Sequence, residues 1–176
     1  GVENYRFSFA ASWEDYDNDG DVDLYIANDF GPNQLFRSEG EYFVDESSES
    51  GSQDWGFGMS ATWADYDRDG FMDLYVSSMF SGAGNQVVAQ SDFNANMPEE
   101  TRTRYLKMVR GNTLLRNSGQ GQFEDLTSPM AEGFGGWAWG AKFADFNNDG
   151  WEDLYVANGY ISQPDPKQDD IAVNFG

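Results

Sequence analysis

The 176-residue sequence has no cysteine, no histidine and only 5 prolines, and it carries 10 basic side chains against 31 acidic ones. Without thiols or imidazoles, disulfides, thiolate metal sites, cysteine nucleophiles, histidine-based triads and histidine or cysteine zinc sites are excluded. The missing cysteine says nothing about compartment. A formal net charge of −21 argues against nucleic acid, or an anionic membrane surface, as a partner. No apolar run approaches the roughly 18 residues that a membrane span requires, so no membrane insertion is expected. The opening GVENYRFSF has no signal-peptide character. What the chain has in quantity is aromatic side chains: 14 Phe, 9 Tyr and 6 Trp. Acidic disordered segments are poor in aromatics, so a folded chain is expected, long enough for one sizeable core.

Self-similarity organises the chain. A nine-residue pattern occurs as DYDNDGDVD from Asp15, DYDRDGFMD from Asp65 and DFNNDGWED from Asp145. Each copy runs on into Leu-Tyr and a β-branched residue, at Ile26, Val76 and Val156. Before each copy, apolar residues fall at every second position: Phe7, Phe9, Ala11 and Trp13; Phe57, Met59, Ala61 and Trp63; Trp137, Trp139, Ala141 and Phe143. This period predicts strands with one buried face, so each loop closes a tight hairpin. A second motif lies between the loops: Asn33-Gln34-Leu35-Phe36-Arg37-Ser38 matches Asn112-Thr113-Leu114-Leu115-Arg116-Asn117. Each copy leads through a Gly to a short strand, at Phe43 and Asp45 or at Phe123 and Asp125. One repeat therefore holds about four strands. The repeats run over about 5–50, 55–130 and 134–176, the third incomplete, within a single domain covering 1–176. An insertion at 80–110 lengthens the second. It predicts a flexible loop at 81–86, then a short surface helix with Asn96 as its cap, Pro98 in its first turn and Gly111 as its stop.

The loops carry the chemistry. Oxygen-bearing side chains stand at positions 1, 3, 5 and 9: Asp15, Asp17, Asp19 and Asp23; Asp65, Asp67, Asp69 and Asp73; Asp145, Asn147, Asp149 and Asp153. Carboxylates packed this densely repel one another unless a cation lies among them. Oxygen-only donors in a flexible arrangement select Ca²⁺, up to three ions here. The glycine at position 6 permits the sharp turn. The backbone carbonyl of position 7 (Asp21, Phe71, Trp151) is expected to add another oxygen. An EF-hand is excluded by Ile26, Val76 and Val156 at position 12 and by the flanking strands. Ordinary acidic β-turns are the plain alternative for any one copy, but three copies with matching strands argue against it.

Phe57-Gly58 followed by the Asp65–Asp73 loop and Leu-Tyr-Val resembles an FG-GAP or VCBS repeat, the blade of integrin α-chain propellers. WAWGAKFADFNNDGWEDLYVANGY, at 137–160, is similar to the ASPIC/UnbV and cartilage acidic protein group. The resemblance implies an all-β propeller of four-stranded blades, about two and a half of them here, belonging to a larger propeller of about seven. Ca²⁺ would sit in the loop joining the first two strands of a blade.

The expected function is a non-enzymatic, calcium-stabilised module for protein interaction or adhesion, at an extracellular, cell-surface or periplasmic location. Its partner would be another protein, or another chain completing the propeller. The 80–110 insertion is expected opposite the calcium loops, as the partner-contacting element. A carbohydrate-binding role is the alternative, for which Trp55, Trp137 and Trp139 are available, although the alternating pattern favours burial of the last two. A carboxylate-dependent glycan hydrolase or lyase is a further alternative. Outside the loops, Glu46, Glu49, Asp54, Glu124, Asp125 and Glu132 show no spacing that marks a catalytic pair.

Overall fold

The computed structural model describes residues 1–90, 92–127 and 136–158. The first repeat forms a four-stranded antiparallel sheet of β1 (Phe7–Glu14), β2 (Asp23–Asp29), β4 (Gln34–Ser38) and β5 (Phe43–Asp45), paired in that order. The second repeats it with β7 (Gly58–Ala64), β8 (Asp73–Ser78), β9 (Thr113–Asn117) and β10 (Phe123–Asp125). The third contributes the hairpin of β11 (Ala138–Ala144) and β12 (Asp153–Asn158). A small ladder of β3 (Gly31–Pro32) and β6 (Trp55–Gly56) ties the first repeat to the start of the second. The all-β, blade-like architecture expected from the repeats is the one observed.

The strand period decides how the sheets stack. In the second sheet Trp63 lies opposite Leu74, and Leu74 opposite Leu115, so these side chains share one face. That face packs on Tyr25 and Leu35 of the first sheet, and with Tyr16 and Phe123 they form the largest buried cluster. The opposite face of the second sheet presents Tyr75, which packs with Phe143 of the third repeat. Both junctions use the same edge-on ring contact: Tyr25 to Trp63 at 6.1 Å and 85°, Tyr75 to Phe143 at 6.3 Å and 85°. The Tyr of the first two Leu-Tyr pairs thus docks on the aromatic near the end of the first strand of the next repeat.

Three local expectations need correction. First, the alternating residues of β1 are not buried: Phe7, Phe9 and Trp13 are exposed. Among the described residues no further sheet packs on Trp13, although Leu24, Ile26 and Phe36 on the same face are buried with Phe43 against them, whereas the first sheet covers the equivalent face of the second. Trp13 is 55% exposed where its counterpart Trp63 is 8%. A register shift between Ser8 and Ala10 also breaks the alternation at Phe9. Matching shifts fall between Gly58 and Ser60 and between Ala138 and Gly140, so a bulge recurs in every repeat. Second, Trp139 is exposed and stacks on the half-buried Trp137 at 6.4 Å, whereas its second-repeat counterpart Met59 is buried.

Third, 81–86 is not a loop. Ser81 caps helix α1 (Gly82–Val88) by accepting the Gly84 N–H at 3.0 Å. Gly84 lets α1 approach helix α2 (Glu99–Val109), since a Cβ there would meet Val109 at 2.9 Å. Helix α2 is the expected surface helix, with Pro98 rather than Asn96 at its N-cap. It packs against β6, and the whole insertion joins β8 to β9 at the end of the sheet remote from the acidic loop. The third repeat beyond residue 158, and Glu132, lie outside the described residues.

Truncation of the two equivalent tryptophans separates covered from open faces. Trp63→Ala should lower unfolding free energy by about 3–5 kcal/mol. Trp13→Ala, which loses mainly an edge contact with Phe43, should lower it by less than about 1.5 kcal/mol. Urea denaturation of both variants gives the comparison, and equal losses would contradict this stacking.

Candidate metal centre

The three acidic loops share one backbone design. Position 4 is left-handed in each, at Asn18 (φ 61°), Arg68 (62°) and Asn148 (58°), and so is position 6, at Gly20, Gly70 and Gly150. These turns aim successive N–H groups inward. The position-6 N–H donates to Oδ2 of position 1: Gly20 to Asp15 at 3.0 Å, Gly70 to Asp65 at 3.0 Å, Gly150 to Asp145 at 2.8 Å. The position-7 N–H of Asp21, Phe71 or Trp151 donates to Oδ1 of position 5, Asp19, Asp69 or Asp149, at 2.8–3.0 Å. Position 5 in turn donates to the position-3 oxygen of Asp17, Asp67 or Asn147. Each loop is therefore wound around its own carboxylates.

The ninth position does something different. Asp23 and Asp73 are completely buried, beyond the solvent-facing part of the loop. Oδ1 of Asp23 accepts the Ser38 N–H at 2.7 Å, and Oδ1 of Asp73 accepts the Asn117 N–H at 2.8 Å. Oδ2 of Asp23 takes the Tyr16 N–H at 3.2 Å, and Asp153 takes the Phe146 N–H at 3.2 Å. Asp23 and Asp73 thus bind their loops to the third strand of their sheets. Burial pushes Asp23 and Asp73 up to about 6, against the backbone hydrogen bonds that favour the anion; the Asp17–Asp19 and Asp67–Asp69 charges push the same way. Asp17 is also raised, by burial and then by the charge of Asp19.

The loops differ in what balances their charge. In the first, carboxylate oxygens of Asp15, Asp17 and Asp19 lie within 4.8 Å of one another. In the second, Asp65, Asp67 and Asp73 do so. Arg116 reaches from β9 to this loop, to Asp67 (Nε to Oδ2, 2.7 Å) and to Asp69 (3.3 Å). In the third, the Asn147 amide donates to Asp149 at 3.0 Å, and no group of three carboxylates converges among the described residues. Neighbouring loops also touch. The Asn18 amide donates to the Gly70 carbonyl at 2.9 Å, and the Arg68 guanidinium lies 4.0 Å over the Trp151 ring. Phe71 is half-buried against Gly119, and Asp21 is exposed. An all-oxygen, carboxylate-rich donor set without imidazole or thiolate fits a hard divalent cation such as Ca²⁺.

One carboxylate pair was invisible in the sequence. Arg110, just after α2, lies 2.8 Å from Asp125 and 3.5 Å from the buried Asp54. The Thr113 hydroxyl donates to Asp54 at 3.0 Å. Arg110 and Thr113 are near neighbours, but Asp54 and Asp125 come from elsewhere in the chain, and no local pattern announces the group. Burial raises Asp54, although Arg110 and Thr113 oppose it, while the guanidinium holds Asp125 below the usual carboxylate range. A guanidinium shared by two carboxylates is an anchor for the insertion rather than an acid–base pair. The Trp55 ring is covered by Arg104, whose guanidinium lies 4.6 Å above it.

The buried loop carboxylates set a pH dependence. A folded-state value raised from 3.8 to about 6 means that folding takes up protons between those limits. In chelator, the contribution of Asp23 and Asp73 is therefore full below pH 3.8 and is lost as pH rises through about 6. Thermal midpoints in EDTA should fall from pH 5 to pH 7.5, and excess Ca²⁺ should abolish that fall. A midpoint that climbs with pH in EDTA would contradict the assignment.

Comparison with known proteins gives one family: a model described as an FG-GAP-like repeat matches residues 15–76 and 105–156. Both matched segments include acidic loops, the first two in one and the third in the other. No curated protein matches the chain significantly.

Proposed function

Because the chain belongs to the FG-GAP-like repeat family, we propose that it is a calcium-stabilised propeller module for protein–protein interaction or adhesion outside the cytoplasm. Repeats of this family build propeller-type interaction modules, are typically non-enzymatic and are typically found in extracellular or periplasmic proteins. Among the described residues, no helix is long and apolar enough to cross a membrane.

The observation that carries the calcium reading is the convergence of three carboxylates in each of the first two loops, inside hairpins that hold them together. Calcium acts structurally here: it cancels repulsion among anions that the fold has already gathered, so binding free energy becomes folding free energy. Asp15, Asp17 and Asp19 hold the first ion, and Asp65, Asp67 and Asp73 the second. Asp145, Asn147 and Asp149 hold the third with one carboxylate fewer. The partner is a protein, engaged through the insertion at the opposite end of the sheets. A further chain stacking on the uncovered face of Trp13 would complete the propeller.

Thermal unfolding with excess EDTA and with about 1 mM Ca²⁺ tests the reading, because extracellular modules bind in the range of about 10⁻⁴ to 10⁻³ M. At tenfold excess over Kd each filled site adds about 1.4 kcal/mol, so the midpoint should rise by several degrees. An unchanged midpoint would sink the calcium reading. In a calcium titration the third site should be the weakest, and Asn147→Asp should tighten it by about tenfold. A third site that binds tightest in the unaltered protein would refute that order.

A further inference from the structure

The side chain at the fourth position of an acidic loop reaches across to the loop of the next repeat. Asn18 stands between Asp17 and Asp19 at φ 61°, and its amide donates to the Gly70 carbonyl at 2.9 Å. That carbonyl shares one planar peptide unit with the Phe71 N–H, so fixing one end of the unit fixes the other. The Phe71 N–H donates to Oδ1 of Asp69 at 3.0 Å, and the Asp69 N–H donates to Oδ1 of Asp67 at 3.2 Å. A continuous path thus runs from the carboxylates that flank Asn18 to those of the second loop.

The next junction repeats the plan with different chemistry. Arg68 stands between Asp67 and Asp69 at φ 62°, and its guanidinium lies 4.0 Å over the Trp151 ring. The Trp151 N–H donates to Asp149 at 2.8 Å, and the Asp149 N–H donates to Asn147 at 2.8 Å. A Cβ at Gly150 would lie 3.0 Å from the same guanidinium, so the fourth position again meets the sixth and seventh of the following loop. A second tie lies beside the first junction. The buried Asn117 amide donates to the Tyr16 carbonyl of the first loop at 2.8 Å and to the Met72 carbonyl of the second at 3.1 Å.

We propose that Asn18 is a positioning residue for the calcium site of the following loop and couples the first two sites, so that filling either one tightens the other. The inference rests on the calcium reading above and deepens it. When Asp15, Asp17 and Asp19 share an ion, the backbone on both sides of Asn18 is fixed. Asn18 then holds peptide 70–71, whose N–H keeps Asp69 in place and, through it, Asp67. The second loop has less ordering left to do when its own carboxylates bind, and by linkage the same factor acts in reverse.

Hydrogen exchange of the full chain, followed through a Ca²⁺ titration and read separately for segments 15–23 and 65–73, gives a midpoint for each loop. Asp17→Asn combined with Asp19→Asn disables the first loop by charge while keeping its shape. This pair should raise the second-loop midpoint by about three- to tenfold, the range that one hydrogen bond accounts for. Asn18→Gly keeps the left-handed backbone and removes only the amide. In that background the same pair should raise the second-loop midpoint by less than about twofold, since charge acting at a distance is screened at about 0.15 M salt. Asn148→Gly is the control: it stands at the same position of the third loop with φ 58°, and among the described residues its side chain makes no hydrogen bond. It should leave the second-loop midpoint unchanged. An equal shift in both backgrounds would assign the coupling to charge alone and overturn the proposal. No shift in either background, or a control effect as large as that of Asn18→Gly, would overturn it too. If neither segment responds to Ca²⁺, the calcium reading fails and the proposal with it, whereas a calcium response without coupling removes the proposal alone.

Discussion

A carboxylate buried where it has lost its hydration is the point on which the rest of this structure turns. Asp23 and Asp73 stand at the junction of loop, second strand and third strand, with no exposed surface. Each takes the N–H that ends the third strand, and Asp23 also takes one from its own loop. The same side chain therefore registers the outer half of the sheet and closes the acidic turn. Burial and neighbouring anions work against its charge, while backbone dipoles work for it. Whatever balances the loop charge is thereby coupled directly to the order of the sheet.

The three loops form a natural series on one scaffold. Backbone turns and N–H donors are held constant, and only the balancing group changes. The second loop uses the Arg116 guanidinium, and the third uses the Asn147 amide. The first has neither, because Arg37 is engaged by Glu39 at 2.7 Å and Glu46 at 3.3 Å instead. The first loop is thus the one in which three converging carboxylates are left to one another.

Much of this architecture was legible because its information is local. Nine consecutive residues contain the donors and acceptors that wind a loop on itself, and a strand period of two shows in seven residues, so hairpins and loops could be read directly. The Asn-x-Leu-x-Arg pattern located β4 and β9 by the same logic. Which face of a strand is covered was not legible, because Trp13 and Trp63 carry the same pattern and differ only in whether another sheet lies against them. The bulges at Phe9, Met59 and Trp139 break the alternation at a residue that looks ordinary in sequence. Helix α1 was misread because Gly82 and Gly84 suggest a turn, when Gly84 is there to admit Val109. Nor could the anchor of Asp54, Arg110, Thr113 and Asp125 be seen before the fold had gathered it.

The insertion leaves β8 at Ser78 and returns at Thr113, which lies directly opposite Val76. Its two ends are clamped by the Ser78 N–H bonded to Asn112. Closing a connection between adjacent strands adds only about 0.6 kcal/mol for each doubling of its length. The equivalent connection of the first repeat is no more than the turn carrying β3. Sequence change at this end is thus cheap, since length and content can drift without disturbing strand register. At the acidic end nearly every position has a fixed partner, and a single insertion would misalign all of them. The stack is in this sense polar: one rim is held throughout by its hydrogen bonds, and the other takes added length between its anchored ends.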